Sequence, residues 1–233
     1  MKLEKITDNS VSLPRRVYDD ACGLAHALEL LGERWTLLVV RELMLGGRRF
    51  SALRAALPGL SANVLTQRLA SLEAHGVLRR RMLPPPARVQ IYELTEWGYE
   101  AGPVIEALGR WAARSPAHDP TLPISSVSTL LSFRTMFRRG AVGDAPFTVG
   151  FRMGEEGWLG EAGAEAFHVG RGDPGGADIC FTGEPEALVA FVYGGAPLPG
   201  LAEAGSLSLR GDPTLAMRFA DLFRLPPKFD PGA

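Results

Sequence analysis

The segment at residues 60–73, LSANVLTQRLASLE, constrains the fold of this chain more than any other stretch. Leu65, Leu69 and Leu72 follow the four-and-three spacing that places side chains on one face of a helix. Ser61 is a suitable N-cap because its hydroxyl can accept a free backbone N–H of the first turn, and a glycine shortly after the segment is placed to end the helix. The pattern predicts an amphipathic helix whose leucines face inward.

The opposite face of this predicted helix is polar. Asn63 and Gln67 suit the edges of DNA bases, because each side chain offers a hydrogen-bond donor and an acceptor together. An ordinary surface helix would show the same pattern, so the helix alone leaves both interpretations open. The segments on either side favour the first.

A shorter helix is predicted just upstream. Residues 51–57, SALRAAL, have a helical pattern, and Pro58 and Gly59 predict a turn between the two helices. Before them, residues 35–45 are apolar almost all round, which predicts a helix buried by neighbours on several sides. Two short helices joined by a tight turn, the second polar outside, form the helix-turn-helix arrangement of DNA-binding proteins.

Two strand-like runs follow at residues 77–83 and 89–94, separated by three prolines. They predict a β-hairpin with a basic tip that includes Arg79, Arg80, Arg81 and Arg88. A winged-helix protein places such a hairpin along the DNA backbone. A solvated run of charge is the alternative, and the helix-turn-helix pattern before it favours the wing.

The net charge of −1 conceals an asymmetry between the halves. Residues 1–115 contain 16 Lys and Arg against 12 Asp and Glu, whereas residues 116–233 contain 9 against 14. Between residues 34 and 88 there are ten arginines and only two acids, Glu42 and Glu73. A local basic field attracts phosphate backbones, so the first half is predicted to bind double-stranded DNA.

The blocks GERW, RRFSAL, LSANVLTQRLASLEAHGVLRR and YELTEWGYEAGPVIEALGRW lie in this order within residues 22–111. Their sequence and spacing resemble the HxlR-type winged-helix transcriptional regulators of bacteria. The resemblance implies that residues 61–72 form the recognition helix and that a homodimer, built from the first and last helices of the domain, binds an inverted repeat. The predicted DNA-binding residues are Ser61, Asn63, Thr66, Gln67, Arg68, Arg79, Arg80, Arg81 and Arg88.

Two further features belong to this resemblance. Val104, Leu108 and Trp111 share one face of a predicted helix, which we expect to form the dimer seam. Cys22 occupies a position where the family often has a cysteine, in some members a sensor of oxidants or electrophiles. Cys22 is therefore a candidate redox residue, although a lone structural thiol is the favoured alternative because Cys is a common small buried residue.

A Pro-rich polar connector, SPAHDPTLP at residues 115–123, separates two kinds of sequence. We predict a mainly α winged-helix domain at residues 1–115, a linker at 116–123 and a second domain at 124–233. In the second domain, alternating apolar residues indicate strands of an antiparallel sheet, with helical stretches at 184–193 and 214–223. The class of the second domain is α+β.

The order ADICFTGEPEALVAFVYGG, then GSLSLRGDPTLAMRFADLF, resembles the sterol carrier protein-like fold. The resemblance implies an apolar cavity between sheet and helices, and hence an apolar small molecule as effector. A filled core is the alternative role for each candidate ligand-binding residue. These candidates are Phe147, Phe151, Phe181, Phe191, Phe219 and Phe223.

No catalytic, cofactor or metal site is predicted. The four histidines are isolated, and no Ser or Cys lies in a nucleophile elbow. Two cysteines in different halves indicate a reducing compartment. No run of about 18 apolar residues occurs, and the N-terminal MKLEKITDNS lacks the apolar core of a signal peptide. We expect a cytoplasmic protein that is not an enzyme and does not enter the membrane.

Two hypotheses of different classes follow. The leading one is a bacterial transcriptional regulator whose winged helix binds operator DNA as a homodimer and whose second domain senses an apolar compound. The alternative is a lipid-binding or carrier protein in which the winged helix serves only as an interaction scaffold.

Overall fold

The computed structural model describes residues 18–143, 145–230 and 232. The N-terminal residues from which the absence of a signal peptide was predicted lie outside this part. The chain forms two compact units. We call the first, which comprises residues 1–40 and 48–98, the winged-helix unit, and the second, residues 41–47 and 99–233, the sheet unit.

From residue 23 to residue 112 the chain is mainly helical. The bounds of the helices are α1 Gly23–Leu31, α2 Thr36–Leu43, α3 Phe50–Ala56, α4 Ala62–Ala74, α5 Glu96–Glu100 and α6 Gly102–Ala112. The predicted core helix is confirmed as α2, where Val39, Val40 and Leu43 are fully buried. The predicted helix-turn-helix is confirmed as α3 and α4.

The helix α4 has the predicted architecture. Leu65, Leu69 and Leu72 are buried on its inner face. Ser61 is the N-cap, since its Oγ accepts a hydrogen bond from the backbone N–H of Val64 at 3.3 Å. After the helix, the backbone turns through a glycine with φ of +73°, a conformation that glycine adopts without steric cost.

The predicted hairpin is confirmed as two antiparallel strands, β1 Leu78–Met82 and β2 Gln90–Leu94. In its register Leu78 lies opposite Leu94, and both are buried. A short bridge between Arg48 and Tyr92 adds a third segment, with backbone hydrogen bonds of 2.9 and 2.8 Å. The buried leucines therefore fix the hairpin against the unit and set which of its arginines lie on each face.

The sheet unit contains one five-stranded sheet with helices packed against it. Its strands are β3 Phe147–Met153, β4 Glu156–Ala162, β5 Phe167–Arg171, β6 Ile179–Gly183 and β7 Leu207–Arg210. Its remaining helices are α7 Ser126–Met136, α8 Pro185–Val192, α9 Leu198–Glu203 and α10 Pro213–Ala220, and a 3-10 turn spans Pro174–Gly176. The predicted α+β class is confirmed.

The strand order in the sheet is β5-β4-β3-β6-β7. Three neighbouring pairs are antiparallel, as predicted, whereas β3 and β6 are parallel. Between β3 and β6 the chain forms β4, β5 and the 3-10 turn. It thereby returns to the end of the sheet where β3 begins, so β6 runs in the same direction as β3. Alternation of apolar residues does not distinguish the two directions, so the sequence could not show this pair.

The core of the sheet unit is a cluster of phenylalanine rings. Phe219 of α10 has ring centroids of five other phenylalanines within 4.8 to 5.8 Å. On β4, a Cβ atom at Gly160 would lie 2.5 Å from the ring of Phe167, so only glycine leaves room for this packing. Helices and sheet are held together by these rings.

A buried carboxylate lies at the start of α7 in the sheet unit. Glu42, whose side chain is fully buried, accepts hydrogen bonds from Arg41 at 2.8 Å and from Ser125 Oγ at 2.6 Å. Ser125 is also the N-cap of α7. The buried carboxylate thus ties residues 41–47 to the start of α7, which explains why a piece of α2 belongs to this unit.

Candidate nucleic-acid interface

The outer face of α4 presents polar side chains to solvent. Asn63 and Gln67 are exposed, one turn apart, and neither side chain has a hydrogen-bond partner among the described residues. Thr66, also exposed, donates its hydroxyl to the carbonyl of Ala62 at 2.9 Å. Because the amide groups of Asn63 and Gln67 are not engaged by the fold, their donors and acceptors are available for a partner molecule.

Arg68 differs from its neighbours on this helix. Its Nε donates to the backbone carbonyl of Arg34 at 3.1 Å, and its Nη2 lies 3.2 Å from Glu33 Oε2. The side chain is only 18% exposed. Arg68 therefore braces α4 against the loop before α2 and retains fewer free donors than the other predicted contacts.

Glu93 on β2 holds two arginines of β1. Its Oε1 accepts from Arg79 Nε and its Oε2 from Arg81 Nε, each at 2.8 Å. Arg79 and Arg81 share one face of the strand because they are two residues apart. We call these three residues the Glu93 bridge.

The Glu93 carboxyl is ionised over a wider pH range than usual. Burial alone would raise its pKa, but the hydrogen bonds and positive charges of Arg79 and Arg81 outweigh burial and lower the pKa below the ordinary value. The bridge is thus one negative charge flanked by two positive ones, and it remains so at neutral pH.

The other two hairpin arginines are placed differently. Arg80 points to the opposite face of β1, where its Nη2 lies 2.6 Å from Glu73 of α4 and its guanidinium carbon is 6.0 Å from the centre of the Tyr92 ring. Arg88 is exposed in the turn, with no ion-pair partner among the residues described here. Three of the hairpin arginines are therefore held by ion pairs with glutamates, whereas Arg88 has no such ion pair among the described residues.

Sequence reasoning did not identify the two acids that organise these arginines. In the sequence, Glu73 stands out only as one of two acids in a basic stretch. A signal for Glu93 was present, since aligning the apolar Leu78 with Leu94 places an acid opposite Arg79. The contribution of Glu73 required knowledge of how α4 and β1 pack.

Among the residues that the structure describes, each unit has an exposed apolar helix face. In the winged-helix unit, Leu24 and Leu28 of α1 are 68% and 46% exposed. In the sheet unit, the predicted seam residues of α6 are exposed to 68%, 46% and 71%. These seam residues are Val104, Leu108 and Trp111. Exposed apolar stripes of this kind indicate surfaces that another molecule covers.

Cys22 is exposed at the N-cap position of α1, where its backbone N–H donates to Asp20 Oδ1 at 2.9 Å. Both cysteines are free thiols, and the second, Cys180, is buried in the sheet unit. Its predicted redox role remains a prediction.

The six candidate ligand-binding phenylalanines are buried in the sheet unit and exposed to 6% or less. Five of the rings pack on other phenylalanines, for example Phe151 on Phe181 at 6.1 Å and Phe181 on Phe191 at 5.6 Å. The sixth, Phe147, lies under the Arg218 guanidinium, 5.1 Å from the ring centre. A cavity of about 280 Å³ lies elsewhere in the unit. It is lined by Arg134, Thr148, Leu159, Gly160, Glu161, His168, Val169 and Gly170. The candidate rings therefore fill space in this conformation.

Within the described ranges, no group of three or more His, Cys, Asp or Glu side chains is arranged to hold a metal ion. None of the helices in those ranges is long and apolar enough to cross a bilayer.

Comparison with known proteins assigns both parts of the chain. Residues 30–119 match the family described as HxlR-like helix-turn-helix, and residues 153–224 match the SCP-2 sterol transfer family. The uncharacterized HTH-type transcriptional regulator YvaP of Bacillus subtilis is 41% identical over 87 residues, which are 37% of this chain and 80% of the relative. The HTH-type transcriptional regulator YodB of the same organism is 36% identical over 37% of this chain and 77% of its own.

Among solved structures, the reduced form of the transcriptional regulator YodB from B. subtilis is 33% identical. The similarity covers 42% of this chain and 98% of that one, with a TM-score of 0.38.

Proposed function

Because the chain belongs to the HxlR-like helix-turn-helix family, we propose that it is a transcriptional regulator that binds operator DNA as a homodimer. The proposal rests on the exposed amide side chains of Asn63 and Gln67, which the fold does not use, beside a hairpin with four arginines. Base edges would be read by α4, and phosphates would be contacted by Arg79, Arg80, Arg81 and Arg88. Ser61, Thr66 and Arg68 would complete the contact surface.

Selection from genomic fragments tests this function. A two-fold dimer presents its recognition helices about 34 Å apart, one turn of B-DNA, and so selects an inverted repeat. We expect the selected fragments to contain palindromes and their binding to weaken steeply with salt. Recovery of single half-sites only, by a protein that sediments as a monomer, would contradict the dimer.

The exposed face of α6 supplies a test of assembly. We propose that the apolar faces of α6 and α1 are covered in the dimer. Trp111→Glu would bury a charge in that interface and should convert the protein to monomers in ultracentrifugation. Glu100→Gln, an exposed change near the start of the same region, is the control and should leave the dimer intact.

We further propose that the sheet unit binds an apolar small molecule that alters operator affinity. The match to the SCP-2 sterol transfer family supports an apolar ligand. Since the candidate phenylalanines pack on one another, the ligand must separate them, and binding would be coupled to rearrangement of the core. A coupling of about 1 to 3 kcal/mol would change operator affinity about 5- to 150-fold.

The sensing proposal is tested on the full chain, because the sheet unit includes residues 41–47 and extends before the predicted linker. Operator affinity is measured with and without saturating fatty acid or steroid. Binding of such a compound without any change in operator affinity would reject sensing while leaving DNA binding intact. Salt-dependent retention on DNA separates the two classes of protein. A lipid carrier would bind the compound but would not be retained on DNA.

Four narrower proposals complete this function. The protein acts in the cytoplasm, and it catalyses no reaction. Its modules in the sequence are proposed to be those predicted, at residues 1–115, 116–123 and 124–233, although residues 41–47 and 99–115 group with the sheet unit in the structure. Cys22 is exposed enough to react, and operator binding before and after treatment with an oxidant, compared with Cys22→Ser, tests whether oxidation regulates the protein.

A further inference from the structure

The Glu93 bridge places an acid inside the surface that is proposed to bind a polyanion. The side chain of Glu93 is 13% exposed, whereas those of Arg79 and Arg81 are 66% and 49% exposed. The carboxylate therefore lies beneath the two guanidinium groups. A partner that approaches the hairpin meets the arginines first.

The atoms used in the bridge leave the outer donors free. A guanidinium group has five N–H donors, and Glu93 accepts only the Nε–H of each arginine. The Nη groups of Arg79 and Arg81 have no other partner among the residues the structure describes. Each arginine thus retains the four donors that form bidentate contacts with phosphate oxygens.

Two opposing effects of Glu93 can be distinguished. Its negative charge repels phosphate, so its removal would strengthen DNA binding if net charge alone decided affinity. Without the bridge, however, two long side chains of like charge would repel each other and sample many rotamers, which costs conformational entropy when they are ordered on DNA. The bridge removes that cost before DNA arrives.

Resting on the DNA-binding function proposed above, we propose that Glu93 is a positioning residue that holds Arg79 and Arg81 as a pair for adjacent phosphates of one DNA strand. The two side chains start about 7 Å apart along β1, from the rise of a strand. The carboxylate sets the spacing of the guanidinium groups and does not itself contact DNA. Glu73, which holds Arg80 on the other face, is not part of this pair.

The test compares Glu93→Gln with Glu96→Gln. Both substitutions remove one negative charge, but Glu96 is exposed on α5 and has no arginine partner within the described ranges. Binding is measured as a function of salt on a random-sequence duplex about three helical turns long. We expect Glu93→Gln to weaken binding about 5- to 10-fold and to lower the salt slope by about one to two. Glu96→Gln should bind as the wild type does or more tightly.

A second measurement separates positioning from an effect of net charge alone. Arg79→Lys combined with Arg81→Lys preserves the net charge but removes the Nε–H donors. Positioning predicts the same weakening as Glu93→Gln, whereas a charge-only model predicts no change. In an Arg79→Ala and Arg81→Ala background, Glu93→Gln should no longer weaken binding and should tighten it.

The outcomes separate this inference from the proposed function. Wild-type protein that shows no salt-dependent DNA binding would overturn both. Wild-type protein that binds DNA, with Glu93→Gln binding equally or more tightly, would overturn only the role of Glu93. Equal binding by the double lysine variant would do the same.

Discussion

The two units place their candidate functional residues in opposite environments. In the winged-helix unit, Asn63, Gln67 and Arg88 extend into solvent and contribute little to the fold. In the sheet unit, the candidate phenylalanines are part of the hydrophobic core, which their rings fill. A site made of surplus polar groups can be tested by removing them. A site made of core residues cannot be altered without altering stability.

The largest expected effect tests whether the phenylalanine core is filled. Phe219→Ala should lower the free energy of unfolding by about 3 to 5 kcal/mol, since it removes a ring at the centre of the cluster and leaves a cavity. Met217→Ala on the same helix is the control, because Met217 is 54% exposed and should change stability by less than about 0.5 kcal/mol. Chemical denaturation of the full chain measures both.

A small decrease in the free energy of unfolding in Phe219→Ala would contradict this contrast between the units. It would mean that the ring lines space that is already open, and the apolar ligand would then enter without rearranging the core. A large cost would instead require ligand binding energy to separate packed rings.

The second prediction concerns the amide side chains of α4. Gln67→Ala or Asn63→Ala should reduce discrimination between operator and altered operator by about 1 to 3 kcal/mol, the value of one good base contact. Thermal stability should not change, because neither amide bonds to the fold. Ala74→Gln, exposed at the other end of the helix, controls for surface changes. If both variants keep the base preference of the wild type, these side chains of α4 do not read the bases.

These two cases explain how much the sequence could predict. Helix α4 was predictable with its cap and its inner face because spacing, a cap residue and a terminal glycine are local signals. The packing of Phe151 against Phe181 was not, since an alternating strand looks the same beside a filled core and beside a cavity. Burial of Glu42 was equally invisible, because its partner Ser125 is 83 residues away.

The third prediction compares arginines on the hairpin. Arg88→Ala should weaken binding to all sequences alike and lower the salt slope by about one, because a phosphate contact carries no sequence information. Arg80→Ala should lower the slope similarly and also lose the ion pair with Glu73, which is worth less than about 1 kcal/mol at an exposed site. Salt slopes equal to the wild-type value would show that neither arginine contacts phosphate.

The smallest effect concerns the predicted connector between the domains. Lys228 near the C-terminus donates its Nζ to the carbonyls of Ala113, Ser115 and His118 at 3.1, 3.0 and 3.2 Å. An ammonium group there satisfies carbonyls that follow α6 and opposes the negative end of the helix dipole. The predicted connector is therefore held by residues near the end of the sheet unit.

Lys228→Met should cost only about 0.3 to 1 kcal/mol, the usual value of a cation at an exposed helix end. The clearer signal should be local. Backbone amides that are ordered by the three Lys228 hydrogen bonds should exchange hydrogen faster when those bonds are lost. Arg224→Met removes the same charge from the same tail without these contacts and should leave exchange at residues 113–118 unchanged. If Lys228→Met also leaves that exchange unchanged, the connector is ordered by its own turns.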